Sequence, residues 1–233
     1  MYNFELLLND KEKASVLKPS EFKRLKREAT YGRNGLRNLA IVWFSFSGLR
    51  VTEIAHLKVK DILEKNGDLR EQYRLPSSYT KNSESRWAYI LDDEHRTAVN
   101  NYLNWRKEKR LRLGLNNQYL GLSGDSPLFL SRGESGFTFI EKEYKKAEDT
   151  IEYYSVCSSL QQLLSKLYKT TGVLGASTHS GRRTFGTRLA ERGVDLDLIR
   201  YLLGHKSKQQ TLDYIDADPK RGRMILKNIY GDF

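Results

Sequence analysis

The C-terminal third of the chain concentrates residue types that handle phosphate. His179-Ser180-Gly181-Arg182 sets an imidazole and a guanidinium one helical turn apart, on one face at a helix start. Leu203-Gly204-His205 follows, and Tyr214 stands nine residues beyond His205. Upstream, Gly48-Leu49-Arg50 carries a second arginine, with Glu53 three residues on to orient it. Two fixed guanidinium forks can each hold two non-bridging phosphate oxygens, a task lysine does less well. Breaking a phosphodiester without a metal needs a nucleophile, stabilisation of a pentavalent phosphorane and proton transfer at both apical oxygens. The four histidines, His56, His95, His179 and His205, are dispersed, and neither a metal-ligand spacing nor a Gly-rich phosphate loop is visible. No metal and no cofactor is therefore expected.

Each of these residues also has a plainer reading. Tyr214 is one of 14 tyrosines, which alone would make it a packing residue. Arg50 and Arg182 could be ion-paired at the surface, Arg50 with Glu53 for example. His205 after Gly204 could be a helix-end residue, and Glu53 a scaffold for Arg50 rather than a proton carrier. His56 and His95 read as structural or surface side chains.

The elements that would hold these groups are mostly helical. Ser20 is the candidate N-cap of EFKRLKREA, with Phe22, Leu25 and Ala29 on one face. Leu39 to Phe46 is apolar nearly all round, as a central buried helix should be. Gly48 ends it, and Thr52 is positioned to cap the next short helix, so Arg50 sits in a tight junction between two helices. VKDILE, LREQYRL and RWAYIL alternate like three short antiparallel strands, with a turn at Asn66-Gly67-Asp68. The polar connection SSYTKNSES between the second and third carries Lys81. Asp92 or Asp93 caps a long helix ending in basic residues. Residues 139–158 are charged and helix-prone. The remainder reads as helices closed by Gly172, Gly193 and Gly204, and one more after Pro219. The fold class is α+β, mostly helical, with a small three-stranded antiparallel sheet.

Composition narrows the partner. Forty Lys and Arg against 29 Asp and Glu give a formal charge of +11. Such an excess repels itself unless a polyanion neutralises it, so nucleic acid leads. The basic stretches KRLKR, WRKEKRLR and HKSK are the expected contacts. A single cysteine, Cys157, forbids an intrachain disulfide and suits a reducing cytosol. No apolar run approaches membrane-spanning length, so no membrane is expected and the reading is cytoplasmic.

The stretches SGLRVTEIAHLKVKDI and HSGRRTFGTRLAERGVDLDLIRYLLGHKSKQQTLDY resemble the tyrosine recombinase, or phage integrase, family in order and spacing, over about Phe22 to Tyr214. That resemblance implies a catalytic set of Arg50, Lys81, His179, Arg182, His205 and Tyr214. In it Tyr214 is the nucleophile that forms a 3′-phosphotyrosyl link, and Arg50 and Arg182 clamp the scissile phosphate. His179 accepts the phenolic proton, His205 donates to a non-bridging oxygen, Lys81 protonates the leaving 5′-oxygen, and Glu53 is a supporting acid. Arg183, Lys206 and Lys208 are expected on neighbouring DNA. Gly181 departs from the family, which more often has an apolar side chain there.

The expected division is an extension over 1–18, a catalytic domain over 19–218 and a tail helix over 219–233 that docks on a neighbouring protomer. Family members usually carry a core-binding domain in front, so this chain resembles the short forms that lack it. The implied partners are double-stranded recombination sites, a homotetramer on DNA and an accessory DNA-bending protein. The alternatives are a DNA-binding regulator of the same fold without cleavage activity, and a nicking-closing enzyme of type IB topoisomerase character.

Overall fold

A helix that is apolar on nearly every side has to lie at the centre of its domain. In the computed structural model, which describes residues 13–80, 84–131, 133–145 and 151–215, helix α2 (Gly35–Phe46) lies there, with Ala40, Ile41, Val42 and Phe44 fully buried. Helices α1 (Pro19–Ala29), α5 (Asp93–Glu108) and α7 (Ser180–Glu191) pack around it. The buried face of α1 is the expected Phe22, Leu25 and Ala29. Phe22 stacks on Phe46 with centroids 4.2 Å apart and meets Trp43 edge-on at 5.2 Å. The N-cap of α1 is Lys18 rather than Ser20, because Pro19 takes the first helical position, where its missing N–H costs nothing. Helix α5 is capped by Asp92, which accepts from the His95 backbone N–H at 2.8 Å.

The junction after α2 positions the chemistry. Gly48 turns the chain at φ +84°, a conformation glycine adopts without strain. Helix α3 (Val51–His56) then starts with Arg50 as its N-cap, not Thr52, because Glu53 reaches back to the Arg50 N–H. Two further corrections concern strands. Residues Val59–Ile62 form a helical turn, α4, capped by Asp61 on the Lys58 N–H at 2.8 Å. The antiparallel pair is β1 (Gln72–Leu75) with β2 (Arg86–Tyr89), in the register Leu75 opposite Arg86. The expected first strand contributes a single bridge, Leu63 to Leu69. Over so short a stretch a local cap outweighs alternation.

Residues read as helix-prone form a second hairpin instead, β3 (Ile140–Lys145) with β4 (Ile151–Val156), Ile140 opposite Val156. The β-branched and aromatic content of IEYYSV favours the strand and carries its charged partner with it.

Helix α6 (Ser158–Thr170) joins the same core, while α8 (Leu196–Leu203) and α9 (Lys208–Leu212) carry the C-terminal motif across α7. Helix α7 meets α2 at Gly181, where a Cβ would stand 2.7 Å from Ser45 Oγ and 2.8 Å from Ser45 O. The departure at Gly181 is thus a close helix crossing. Lys81 and the helix expected after Pro219 lie outside the described residues. No described helix is long and apolar enough to cross a membrane.

Candidate active site

The site is organised around one buried carboxylate. Glu53, fully buried at the third position of α3, accepts the Arg50 N–H on Oε2 at 2.7 Å and Arg50 Nη1 on Oε1 at 2.9 Å. Arg86, at the start of β2, donates Nη2 to Oε2 at 2.6 Å, and Arg182 Nη1 lies 4.0 Å from the same oxygen. Burial works to raise the Glu53 pKa, but Arg86, Arg182 and Arg50 outweigh it and hold the carboxyl below its usual range. Three guanidiniums against one carboxylate leave a surplus of two positive charges in a largely buried cluster. Uncompensated buried charge is costly, so this arrangement favours an incoming anion.

The two arginines of the expected clamp are held by backbone. Arg50 Nη2 donates to Gly204 O at 3.1 Å. Arg182, 1% exposed, donates Nη1 to Gly48 O at 2.6 Å and Nη2 to Leu203 O. Burial first, then the neighbouring Arg50, pushes its guanidinium down to about 9, still charged at neutral pH. The acceptors are the ends of α2 and α8, so two glycine-terminated helices aim both guanidiniums. Gly204 is left-handed at φ +59°, and a Cβ on it would stand 2.6 Å from Arg86 Cδ. Both conditions demand glycine.

His205, 6% exposed, sets Nδ1 3.1 Å from Thr211 Oγ1. Burial, followed by Arg182, Arg50 and Arg86, pushes the imidazole down to about 3, so it is neutral over the physiological range. The Tyr214 ring packs 4.8 Å from the His205 ring, with the Arg182 guanidinium 5.7 Å from its centroid. Its hydroxyl lies 3.1 Å from Nδ1 of His179, the exposed N-cap residue of α7. The Tyr214 carbonyl accepts from Thr187 Oγ1 at 3.2 Å. A cleft of about 120 Å³ opens beside this group, lined among others by Arg50, Ser85, Arg86, Arg200 and His205.

The structure thus brings together Arg50, His179, Arg182, His205 and Tyr214, while Lys81 lies outside the described residues. Arg183 is not part of this group. It is buried and donates to Ala14 O at 2.6 Å, because adjacent helical residues point about 100° apart. It helps to pin residues 14–17, where Leu17 N–H also donates to Thr184 Oγ1. Lys206 and Lys208 are exposed on the turn into α9, Lys208 beside Asp197 at 2.8 Å. Arg106, inside a stretch read as a DNA contact, is fully buried and bonds Pro127 O, Leu128 O and Ser126 Oγ.

Sequence reasoning missed Arg86 and Thr211. The signal for Arg86 was parity, since it shares the inward face of its strand with Ala88. Among the described residues no cluster of His, Cys, Asp and Glu could hold a metal ion.

The model of the phage integrase family matches residues 15–221. The chain belongs to that family. Curated relatives include a tyrosine recombinase XerA from Pyrococcus horikoshii, 25% identical over 230 residues, covering 96% of this chain and 65% of its own. A tyrosine recombinase XerC from Lactobacillus delbrueckii subsp. bulgaricus is 24% identical over 180 residues, covering 77% and 50% respectively. The chain therefore spans about half to two thirds of these relatives' lengths. A crystal structure of XerA recombinase superposes with TM-score 0.64 at 23% identity, over 93% of this chain and 65% of that one. An XerH recombinase bound to a palindromic difH substrate, in a post-cleavage complex, gives 0.62 at 20% identity, over 91% and 52%. The Tn1549 transposon integrase with transposon right-end DNA gives 0.61 at 17% identity, over 97% and 69%. The mostly helical α+β fold with small antiparallel sheets is the fold of this family.

Proposed function

We propose that this chain is the catalytic domain of a site-specific recombinase that breaks and rejoins duplex DNA through Tyr214. The observation that carries the reading is the approach of the Tyr214 hydroxyl to His179 Nδ1 at 3.1 Å, beside the Arg50–Arg182 pair. A neutral phenol is a poor nucleophile at neutral pH, so a base within hydrogen-bond reach is what the chemistry requires.

In this mechanism His179 takes the phenolic proton as the Tyr214 oxygen attacks the scissile phosphorus. Arg50 and Arg182 hold the non-bridging oxygens with their remaining N–H groups, and their positive surplus offsets the charge of the phosphorane. In the tautomer that carries its proton on Nε2, with Nδ1 turned to Thr211 Oγ1, His205 donates a hydrogen bond to a non-bridging oxygen. Lys81 supplies the proton that the departing 5′-oxygen takes, a task open to an ammonium and closed to a guanidinium. The products are a 3′-phosphotyrosyl ester and a free 5′-hydroxyl. The ester conserves the bond energy, so attack by another strand's 5′-hydroxyl reseals the DNA without a cofactor.

The catalytic domain is taken as residues 19–218. Four protomers on two sites would exchange strands, the segment after Pro219 would dock on a neighbour, and a DNA-bending protein could assist. Lys206 and Lys208 would contact flanking phosphates.

The test uses a library of nicked duplexes with randomised sequence around the nick, so that cleavage traps the protein on DNA. Adducts stable on a denaturing gel are recovered and sequenced. Enrichment of one site supports the recombinase reading, and adducts without sequence preference would point to a nicking-closing enzyme. DNA binding with no adduct would point to a non-cleaving regulator.

A further inference from the structure

Three features of Arg86 set it apart from a surface strand residue. It is 5% exposed, it faces inward at the first position of β2, and its terminal nitrogens are used on three different segments. Nη2 donates to Glu53 Oε2 at 2.6 Å and to Gly48 O at 3.2 Å, and Nη1 donates to Leu202 O at 2.8 Å. Each acceptor neighbours a group that aims the clamp. Glu53 orients Arg50. Gly48 O also accepts from Arg182. Leu202 directly precedes Leu203 and Gly204, whose carbonyls hold Arg182 and Arg50. The aliphatic stem of Arg86 runs beneath Gly204, where any Cβ would collide with it.

We propose that Arg86 is a positioning residue, which locks the α2–α3 junction, the Glu53 carboxylate and the end of α8 together and so fixes the spacing of Arg50 and Arg182. This inference rests on the recombinase reading above. A rigid planar fork is needed because three acceptors at fixed angles must be met at once. A lysine would neutralise Glu53 equally well but would reach only part of that set. Geometry and neutralisation therefore separate in one substitution.

The experiment is single-turnover adduct formation by Arg86→Lys on a nicked duplex that the wild-type protein cleaves. It is repeated on the same duplex with a methylphosphonate at the scissile position, where methyl replaces one charged oxygen and less charge remains to be clamped. The expected result is a protein that melts cooperatively and binds DNA within about threefold of wild type. It should cleave the phosphodiester roughly 100-fold more slowly, by analogy with loss of one preorganised donor. On the methylphosphonate the deficit should shrink below about tenfold, since there the positioned donors matter less. Wild-type rates for Arg86→Lys, or the same deficit on both substrates, would overturn the proposal.

Should Arg86→Lys fail to fold, Arg86→Met combined with Glu53→Gln removes the buried charge pair as a unit. If the two residues act together, the double variant is no slower than the slower single variant. Multiplying deficits would overturn the proposal. A wild-type protein that forms no adduct would overturn the recombinase reading and this inference with it, whereas an active wild type with indifferent Arg86 variants would overturn this inference alone.

Discussion

The Tyr214 hydroxyl and Nδ1 of His179 lie 3.1 Å apart although 35 residues of chain separate them. His179 caps helix α7, α8 packs on α7 and α9 on α8, and Thr187 on α7 holds the Tyr214 carbonyl. The pair is therefore a consequence of how three short helices pack.

If His179 is the acceptor for the phenolic proton, His179→Ala should slow adduct formation by about 10²- to 10⁴-fold, the usual worth of a general base. DNA affinity measured by fluorescence anisotropy should hold. The deficit should narrow as the buffer is raised from pH 7 toward 9.5, where hydroxide takes over the base's task. A deficit independent of pH would argue against the role.

The Glu53 cluster makes a prediction about stability. Because the folded pKa of Glu53 lies below its ordinary value of 4.5, its contribution is present above that pH and is lost as pH falls through the folded value. Glu53→Gln should cost about 3–5 kcal/mol at pH 7, as removal of one partner from a buried ion pair does. In urea melts the gap between wild type and variant should close steadily below pH 4.5.

His205 should behave as a neutral donor throughout the working range. Its folded pKa of about 3 lies below the ordinary 6.5, so it favours the fold above pH 6.5 and that contribution fades as pH drops. Its ring resonances in a two-dimensional NMR titration should not move between pH 5 and 8. A midpoint near 6.5 would contradict the buried, arginine-ringed placement.

Gly181→Ala tests the crossing of α7 over α2. Helix propensity alone would favour alanine by about 1 kcal/mol. The new Cβ would sit 2.7 Å from Ser45 Oγ and 2.8 Å from its carbonyl, and backbone cannot yield as a side chain can. A net loss of about 1–3 kcal/mol is expected from such overpacking, read as a lower urea midpoint.

Helix starts and glycine stops made most of the site legible in advance. Arg50 after Gly48, Arg182 one turn beyond His179 and His205 after Gly204 all sit at helix ends, where local chemistry marks the boundary. Arg86 was not legible in that way. In a four-residue strand a buried arginine differs from an exposed one only by parity, and its partners arrive from 33 and 116 residues away. Arg183, expected on neighbouring DNA, is buried against Ala14 O in this structure, because neighbours in a helix face different directions. The β3–β4 hairpin was missed because Glu and Lys content suggests helix while pairing with IEYYSV decides for strand. The turn at Val59–Ile62 is likewise masked in sequence by its β-branched residues, although the Asp61 cap on the Lys58 N–H decides it.

In the proposed reaction Tyr214 becomes covalently joined to DNA. The most direct measurement is mass spectrometry of the peptide released from a trapped adduct after nuclease and protease digestion. The expected result is a nucleotide remnant on Tyr214 through a 3′-phosphate, a free 5′-hydroxyl on the other fragment, and no adduct from Tyr214→Phe. A remnant on any other residue, or an adduct that survives Tyr214→Phe, would contradict it.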